Sequence, residues 1–122
     1  MKEINIGITG YGKMGKIREK SFLSSPEVNL VSIFDLKYKE DREDIILCKS
    51  FKELLNTDID AIFISSYVSS SAEYTIRALE AGKHVFCEKP PAMNFQEIKQ
   101  VEKAYKKRSL TLKYGFNHRY HY

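Results

Sequence analysis

The 122 residues are 43% hydrophobic and 30% charged, which excludes a disordered chain and predicts one domain, residues 1–122, with a real core. The net charge of +4 does not point to nucleic acid, because much of it sits in Lys103, Lys106, Lys107 and Arg108, near the end of one predicted helix and without interleaved aromatics. No apolar run approaches membrane-spanning length, and Cys48 and Cys87 form no CxxC pair. Met1-Lys2-Glu3 leads straight into a strand pattern and not into a signal-peptide core, so a cytoplasmic protein with two free thiols is expected.

In chain order, Glu3–Thr9 alternates Ile4, Ile6 and Ile8 with small or polar residues and predicts a strand. A glycine-rich turn and a helix over 13–24 follow, with Pro26 barring its continuation. Asn29–Asp35 is a second strand ending in an acid, 37–43 a charged loop, and 44–49 a short third strand. Ser50 is placed to cap a short helix carrying Phe51, Leu54 and Leu55. Ile59–Ser65 is nearly all apolar, as a central parallel strand covered on both faces requires.

Beyond a serine-rich loop, Ala72, Ile76 and Leu79 share one helical face, and Gly82 stands where a helix ends in a left-handed residue. His84–Cys87 is the fifth strand. Asn94 and Glu97 make an N-x-x-E helix start, with Ile98, Val101 and Tyr105 as the expected buried stripe. Leu110, Leu112, Tyr114 and Phe116 alternate as an edge strand would. Strands and helices alternating at these spacings predict an α/β fold with a parallel sheet.

Residues 10–15, Gly10-Tyr11-Gly12-Lys13-Met14-Gly15, form a G-x-G-x-x-G between the first strand and its helix. In a dinucleotide-binding turn Gly10 permits the tight turn, Gly12 lets backbone approach a pyrophosphate, and Gly15 lets helix and strand pack closely. The free N–H groups of the helix start then face the anion. Alone the pattern also fits a plain strand-to-helix turn. Asp35, twenty residues after Gly15 at the end of the second strand, is placed to accept hydrogen bonds from ribose hydroxyls. Such an acid repels a 2′-phosphate, so NAD is expected over NADP, with Lys37 softening the preference. These elements predict a Rossmann-type, doubly wound, six-stranded parallel sheet of order 3-2-1-4-5-6.

The run AGKHVFCEKP at 81–90, the glycine turn, and GFNHRY at 115–120 resemble the N-terminal half of the Gfo/Idh/MocA (glucose–fructose oxidoreductase/inositol 2-dehydrogenase) family. The resemblance covers essentially the whole chain, and the EKP run is its most specific part. It implies that Lys89 lies beside the nicotinamide and the reacting carbon of the substrate as the catalytic residue, that Glu88 helps position the nicotinamide end, and that Pro90 holds the turn. A lysine at the carboxyl end of a parallel strand faces the ligand crevice, and its ammonium stabilises alkoxide character as a hydroxyl carbon is oxidised. With Gly10, Tyr11, Gly12, Lys13, Met14, Gly15 and Asp35, the expected cofactor-binding residues include Ser66, Tyr67, Glu88 and Lys89.

The chain departs from the family in the loop after the fourth strand. Ser66 and Tyr67 stand where Thr-Pro is usual, and Ser71 where a histidine is usual. Ser66 keeps a hydroxyl for the cofactor; Tyr67 either lies on the cofactor or covers the sheet edge. Asn117 and Arg119 match the family's closing segment. The resemblance also implies a second α/β domain that binds a sugar-like substrate and supplies a proton carrier. None of that domain is present in these residues, so this chain is expected to bind cofactor and to catalyse little by itself. A stand-alone nucleotide-binding sensor and a methyltransferase are the rival readings, the EKP run speaking against the latter. His118, His121 and the serines of 65–71 lack partners at metal-ligand or triad spacing, so no metal site is expected. The last strand, an exposed edge, is the expected route of any self-association.

Overall fold

The computed structural model describes residues 4–38, 40, 42–65, 68–88, 94–106 and 109–115. They form β1 (Ile4–Thr9), α1 (Lys13–Leu23), β2 (Val28–Phe34), β3 (Ile46–Cys48), α2 (Phe51–Leu55), β4 (Ala61–Ile64), α3 (Val68–Glu80), β5 (His84–Glu88), α4 (Phe95–Lys106) and β6 (Leu112–Gly115). All strand pairs are parallel, and the sheet runs β3-β2-β1-β4-β5-β6. The doubly wound topology expected from the sequence is therefore the observed one.

The alternation of side chains along each strand divides the interior in two. Ile62 and Ile64 of β4 join Leu54, Ala78, Leu79, Val85 and Ala104 in the core beneath α2, α3 and α4. Phe63, between them, points the other way and packs with Ile6, Ile8, Tyr11 and Ile33 on the face of α1. Ile62, Phe63 and Ile64 are all buried, so β4 is covered on both sides as its unbroken apolar run requires.

Local signals set the element ends. Ser50 Oγ accepts the Glu53 N–H at 3.0 Å, and the Glu53 carboxylate accepts the Lys49 N–H at 3.2 Å. That cap takes Lys49 out of the sheet, and Asp44 pairs with Arg42 at 2.9 Å, so β3 is shorter than the 44–49 expected. At the end of α3, Gly82 has φ +80°, the Gly82 N–H reaches Leu79 O at 3.0 Å and the Lys83 N–H reaches Ala78 O at 3.0 Å, a Schellman motif. Asn94 Oδ1 accepts the Glu97 N–H at 2.9 Å and starts α4.

The expected buried stripe of α4 was Ile98, Val101 and Tyr105, but the helix buries Val101 and Ala104 and leaves Ile98 and Tyr105 each 37% exposed. Hydrophobicity favours the larger residues; packing against α3 favours the row whose small Ala104 allows close approach of the two helices.

Candidate functional site

β1 and β4 lie side by side, with Thr9 opposite Ile64, yet the connections leaving them cross the sheet in opposite directions. This switch point opens a crevice at the carboxyl ends of the strands, where ligands bind in such sheets. A cleft of about 510 Å³ lies here, bordered by Thr9, Gly10, Gly12, Asp35, Ser65 and Tyr74 among others. Its size is within the range of small-molecule and cofactor sites.

The three glycines of the turn have three different surroundings. Gly10 has φ +85°, a conformation L side chains avoid, and its N–H is held by Phe34 O at 2.8 Å. Its carbonyl accepts the Ser65 hydroxyl, while the Ser65 N–H bonds Thr9 O at 2.8 Å, so the turn is tied to the end of β4. A Cβ on Gly15 would stand 2.5 Å from that same Gly10 carbonyl oxygen. A Cβ on Gly12 would meet nothing within 4 Å among the described residues. Gly12 O accepts the Lys16 N–H at 3.0 Å, the first bond of α1, so the free N–H groups of the helix start open directly beside this space. Lys13 and Met14 are the first residues of α1.

Asp35 does structural work at the lip of the cleft. Its Oδ2 accepts the Tyr11 N–H at 2.5 Å, and its Oδ1 accepts the N–H groups of Lys37 at 2.7 Å and Tyr38 at 3.0 Å. The carboxylate thus fixes the glycine turn to the β2–β3 loop and is itself held in one place. Tyr11 turns its ring inward, 8% exposed, with the Tyr38 ring edge-on at 4.5 Å. Its hydroxyl donates to Glu19 Oε1 and accepts from Arg42 Nη1 at 3.1 Å. Arg42 also grips Glu19 through both Nη atoms, at 3.1 and 2.7 Å. No local spacing announces this cluster, because Arg42 falls in what reads as a solvated charged loop.

Burial, then the bond to Glu19, pushes the Tyr11 hydroxyl up to about 12. For Glu19 burial acts upward, but the hydrogen bonds from Arg42 and Tyr11 outweigh it and hold the carboxyl below its ordinary value of 4.5. A group with a depressed folded-state pKa stabilises the fold above its unfolded pKa and loses that contribution as pH falls through the folded one. Glu19→Gln is therefore expected to lower urea stability at pH 7 by about 2 kcal/mol, less than a fully buried pair because Arg42 is a quarter exposed. The gap between wild type and variant should narrow as pH falls from the ordinary carboxyl value of 4.5 through the lower folded-state one, where the wild-type carboxyl protonates. A gap unchanged at low pH would mean that Glu19 acts through packing alone.

Glu88, the last residue of β5, pairs with Arg18 of α1 at 3.1 Å. Lys89, Ser66 and Tyr67 lie outside the described residues, as does Pro90. Both cysteines are buried, and burial pushes their thiols up to about 11, so neither is a thiolate near neutrality. Among the described residues no group of three or more His, Cys, Asp or Glu could hold a metal, and no helix is long and apolar enough to cross a membrane.

The surroundings fit a dinucleotide. The space beside Gly12 is one that a Cβ would fill, it adjoins free helix N–H groups, and the Thr9 hydroxyl bordering the cleft is buried without a partner among the described residues.

Comparison with known proteins agrees. Residues 4–116 match the model of an oxidoreductase family with an NAD-binding Rossmann fold. The chain is 32% identical to the oxidoreductase YrbE of Bacillus subtilis, covering 98% of this chain and 37% of that protein. It is 28% identical to a myo-inositol 2-dehydrogenase of Thermotoga maritima, over 96% of this chain and 37% of the relative. The crystal structure of an NAD-binding protein from Listeria innocua superposes with a TM-score of 0.85 at 29% identity, over 98% of this chain and 37% of that one. The chain thus spans little more than a third of the length of these relatives. It belongs to the Gfo/Idh/MocA oxidoreductase family and corresponds to that family's NAD(P)-binding Rossmann domain.

Proposed function

We propose that these residues form the cofactor half of an oxidoreductase that moves hydride between NAD and a hydroxyl of a sugar, cyclitol or nucleotide-sugar. The observation that carries the cofactor reading is the space beside Gly12, which is open among the described residues and which adjoins the N-terminus of α1. Gly10, Gly12 and the first N–H groups of α1, on Lys13 and Met14, are assigned to the pyrophosphate, with Gly15 holding helix to strand. Asp35 is assigned to the adenosine ribose hydroxyls. Three N–H donors fix that carboxylate at the lip, where a 2′-phosphate would meet an anion that cannot swing away, so NAD is the preferred cofactor. The nicotinamide, when bound, supplies the hydride acceptor.

Glu88 and Lys89 follow one another at the carboxyl end of β5 and are assigned to the nicotinamide end, with Ser66 and Tyr67 in the loop between β4 and α3. Lys89 is the proposed catalytic residue, its ammonium stabilising alkoxide character on the substrate oxygen. The hydroxyl substrate is assigned by the family and by relatives such as the inositol dehydrogenase of Thermotoga maritima. The residues proposed here are those of the cofactor, and binding rather than turnover is the property to measure.

Calorimetric titration of the 122-residue chain with NADH and NADPH tests the reading. NADH is expected to bind at least tenfold more tightly. Asp35→Asn keeps one oxygen, which can serve the Lys37 and Tyr38 N–H groups but not that of Tyr11 as well, and removes the charge, so it should weaken NADH and narrow its lead over NADPH. Asp35→Ala strips the acceptor from all three N–H groups and confounds folding with binding. A wild-type chain that bound neither nucleotide, or preferred NADPH, would overturn the assignment.

A further inference from the structure

Arg18 lies on the second turn of α1, the helix that opens beside Gly12, yet its side chain reaches across the sheet to the last residue of β5. Its Nε donates to Glu88 Oε2 at 3.1 Å, a contact between residues seventy apart in the chain. The guanidinium lies 5.2 Å from the centre of the Phe86 ring and 5.9 Å from that of Phe63, within cation–π range of both. The Glu88 side chain is only 14% exposed, so Arg18 supplies the charge partner that keeps a half-enclosed carboxylate in one position.

The location gives this contact a use. A dinucleotide with its ribose at Asp35, beyond β2, and its pyrophosphate at Gly12 crosses the β1–β4 switch point and lays its other half over the ends of β4 and β5. Glu88 ends β5 on that far side, and Lys89 follows it. We propose that Arg18 is a positioning residue for the nicotinamide half: through Glu88 it fixes where the chain leaves β5, and so ties the pyrophosphate helix to the far end of the same cofactor. The proposal rests on the cofactor reading above.

The test compares NADH with ADP-ribose, which keeps the adenosine and pyrophosphate but lacks the nicotinamide. Arg18→Met retains an unbranched side chain over Phe86 and removes the donor. It is expected to bind ADP-ribose within twofold of wild type, to bind NADH about tenfold more weakly, and to lose the change in NADH fluorescence that accompanies binding. Arg18→Lys, which restores a cation, should recover part of the NADH affinity, and adding Arg18→Met to Glu88→Gln should cost nothing further.

Equal weakening of both ligands would make Arg18 a merely structural pin and overturn the proposal. So would an unchanged NADH affinity, or a wild-type chain that holds NADH no better than ADP-ribose. Failure of the wild-type chain to bind ADP-ribose would instead remove the cofactor reading itself, and this proposal with it. If Arg18→Met does not fold, Arg18→Gln reads the same discrimination between the two ligands and leaves Glu88, itself assigned to the nicotinamide end, in place.

Discussion

Gly12→Ala is expected to leave the protein folded and to weaken NADH binding on the order of a hundredfold, about 2.7 kcal/mol. The two effects separate because of what surrounds the position. Among the described residues a methyl group there meets nothing within 4 Å, and Gly12 does not have a positive φ, so neither clash nor backbone strain opposes it. Gly12 caps α1, where alanine is a poorer residue than glycine by roughly 1 kcal/mol, while the stiffer unfolded chain returns about 0.4–1 kcal/mol. The net change in stability should stay within about 1 kcal/mol. A pyrophosphate drawn to the N–H groups of α1, by contrast, must occupy the volume the methyl takes. The measurement is a pair: thermal unfolding by circular dichroism, and NADH titration on the same sample. Unimpaired NADH binding by a folded Gly12→Ala would show that the anion sits elsewhere. A collapse in stability would show that the space is closed in solution.

What the sequence makes legible is whatever depends on local periodicity and on backbone conformation. The unbroken apolar run of β4 needs cover on both faces and has it; the helix starts at Ser50 and Asn94 and the stop at Gly82 are written in single residues whose chemistry permits little else. Even the turn is readable at the level of its glycines, because a positive φ at Gly10 and a close approach at Gly15 are conditions other side chains do not meet. Choices between helical faces are less legible. Ile98 and Tyr105 have more apolar surface to bury than Ala104, but α3 leaves room for the alanine row.

The long-range ion pairs are not legible at all. Arg42 on Glu19 and Arg18 on Glu88 join residues 23 and 70 positions apart, and nothing in the spacing of charges selects those partners from the other lysines, arginines and acids. Asp35 shows the intermediate case. Its position after the second strand marks it for a ribose, yet its three backbone donors, which make it a structural residue as well, become visible only when the loops are in place.

Gly15→Ala is expected to be more damaging than the same methyl at Gly7, Gly12 or Gly82. The added Cβ would fall 2.5 Å from the Gly10 carbonyl oxygen, far inside contact distance, so one of the two groups must move. Gly10 is poorly able to move: its N–H is bonded to Phe34 O, its carbonyl accepts the Ser65 hydroxyl, and its φ of +85° leaves few alternative conformations. Ser65 Oγ itself would stand 3.3 Å from the new methyl, so the obvious retreat of the carbonyl is blocked as well. The remaining route is for α1 to lift from β1, which opens the packing around the Tyr11–Glu19–Arg42 cluster.

Alanine is the better helix former by about 1 kcal/mol, which offsets part of the cost. Overpacking against fixed backbone costs about 1–3 kcal/mol or more, and the loss of close contact along α1 adds to it. A net destabilisation of about 2–3 kcal/mol corresponds to a fall in Tm of roughly 6–15 °C for a domain of this size. Gly82→Ala is the contrasting control: Gly82, unlike Gly15, has a positive φ, but a Cβ there meets nothing within 4 Å among the described residues, so it should cost only the conformational strain of about 1–2 kcal/mol. Urea unfolding of the two variants beside wild type decides the matter. If Gly15→Ala proved no more costly than Gly82→Ala, α1 would be free to shift on β1. The close helix-to-strand contact on which the whole geometry of the turn depends would then not be a fixed feature of the fold.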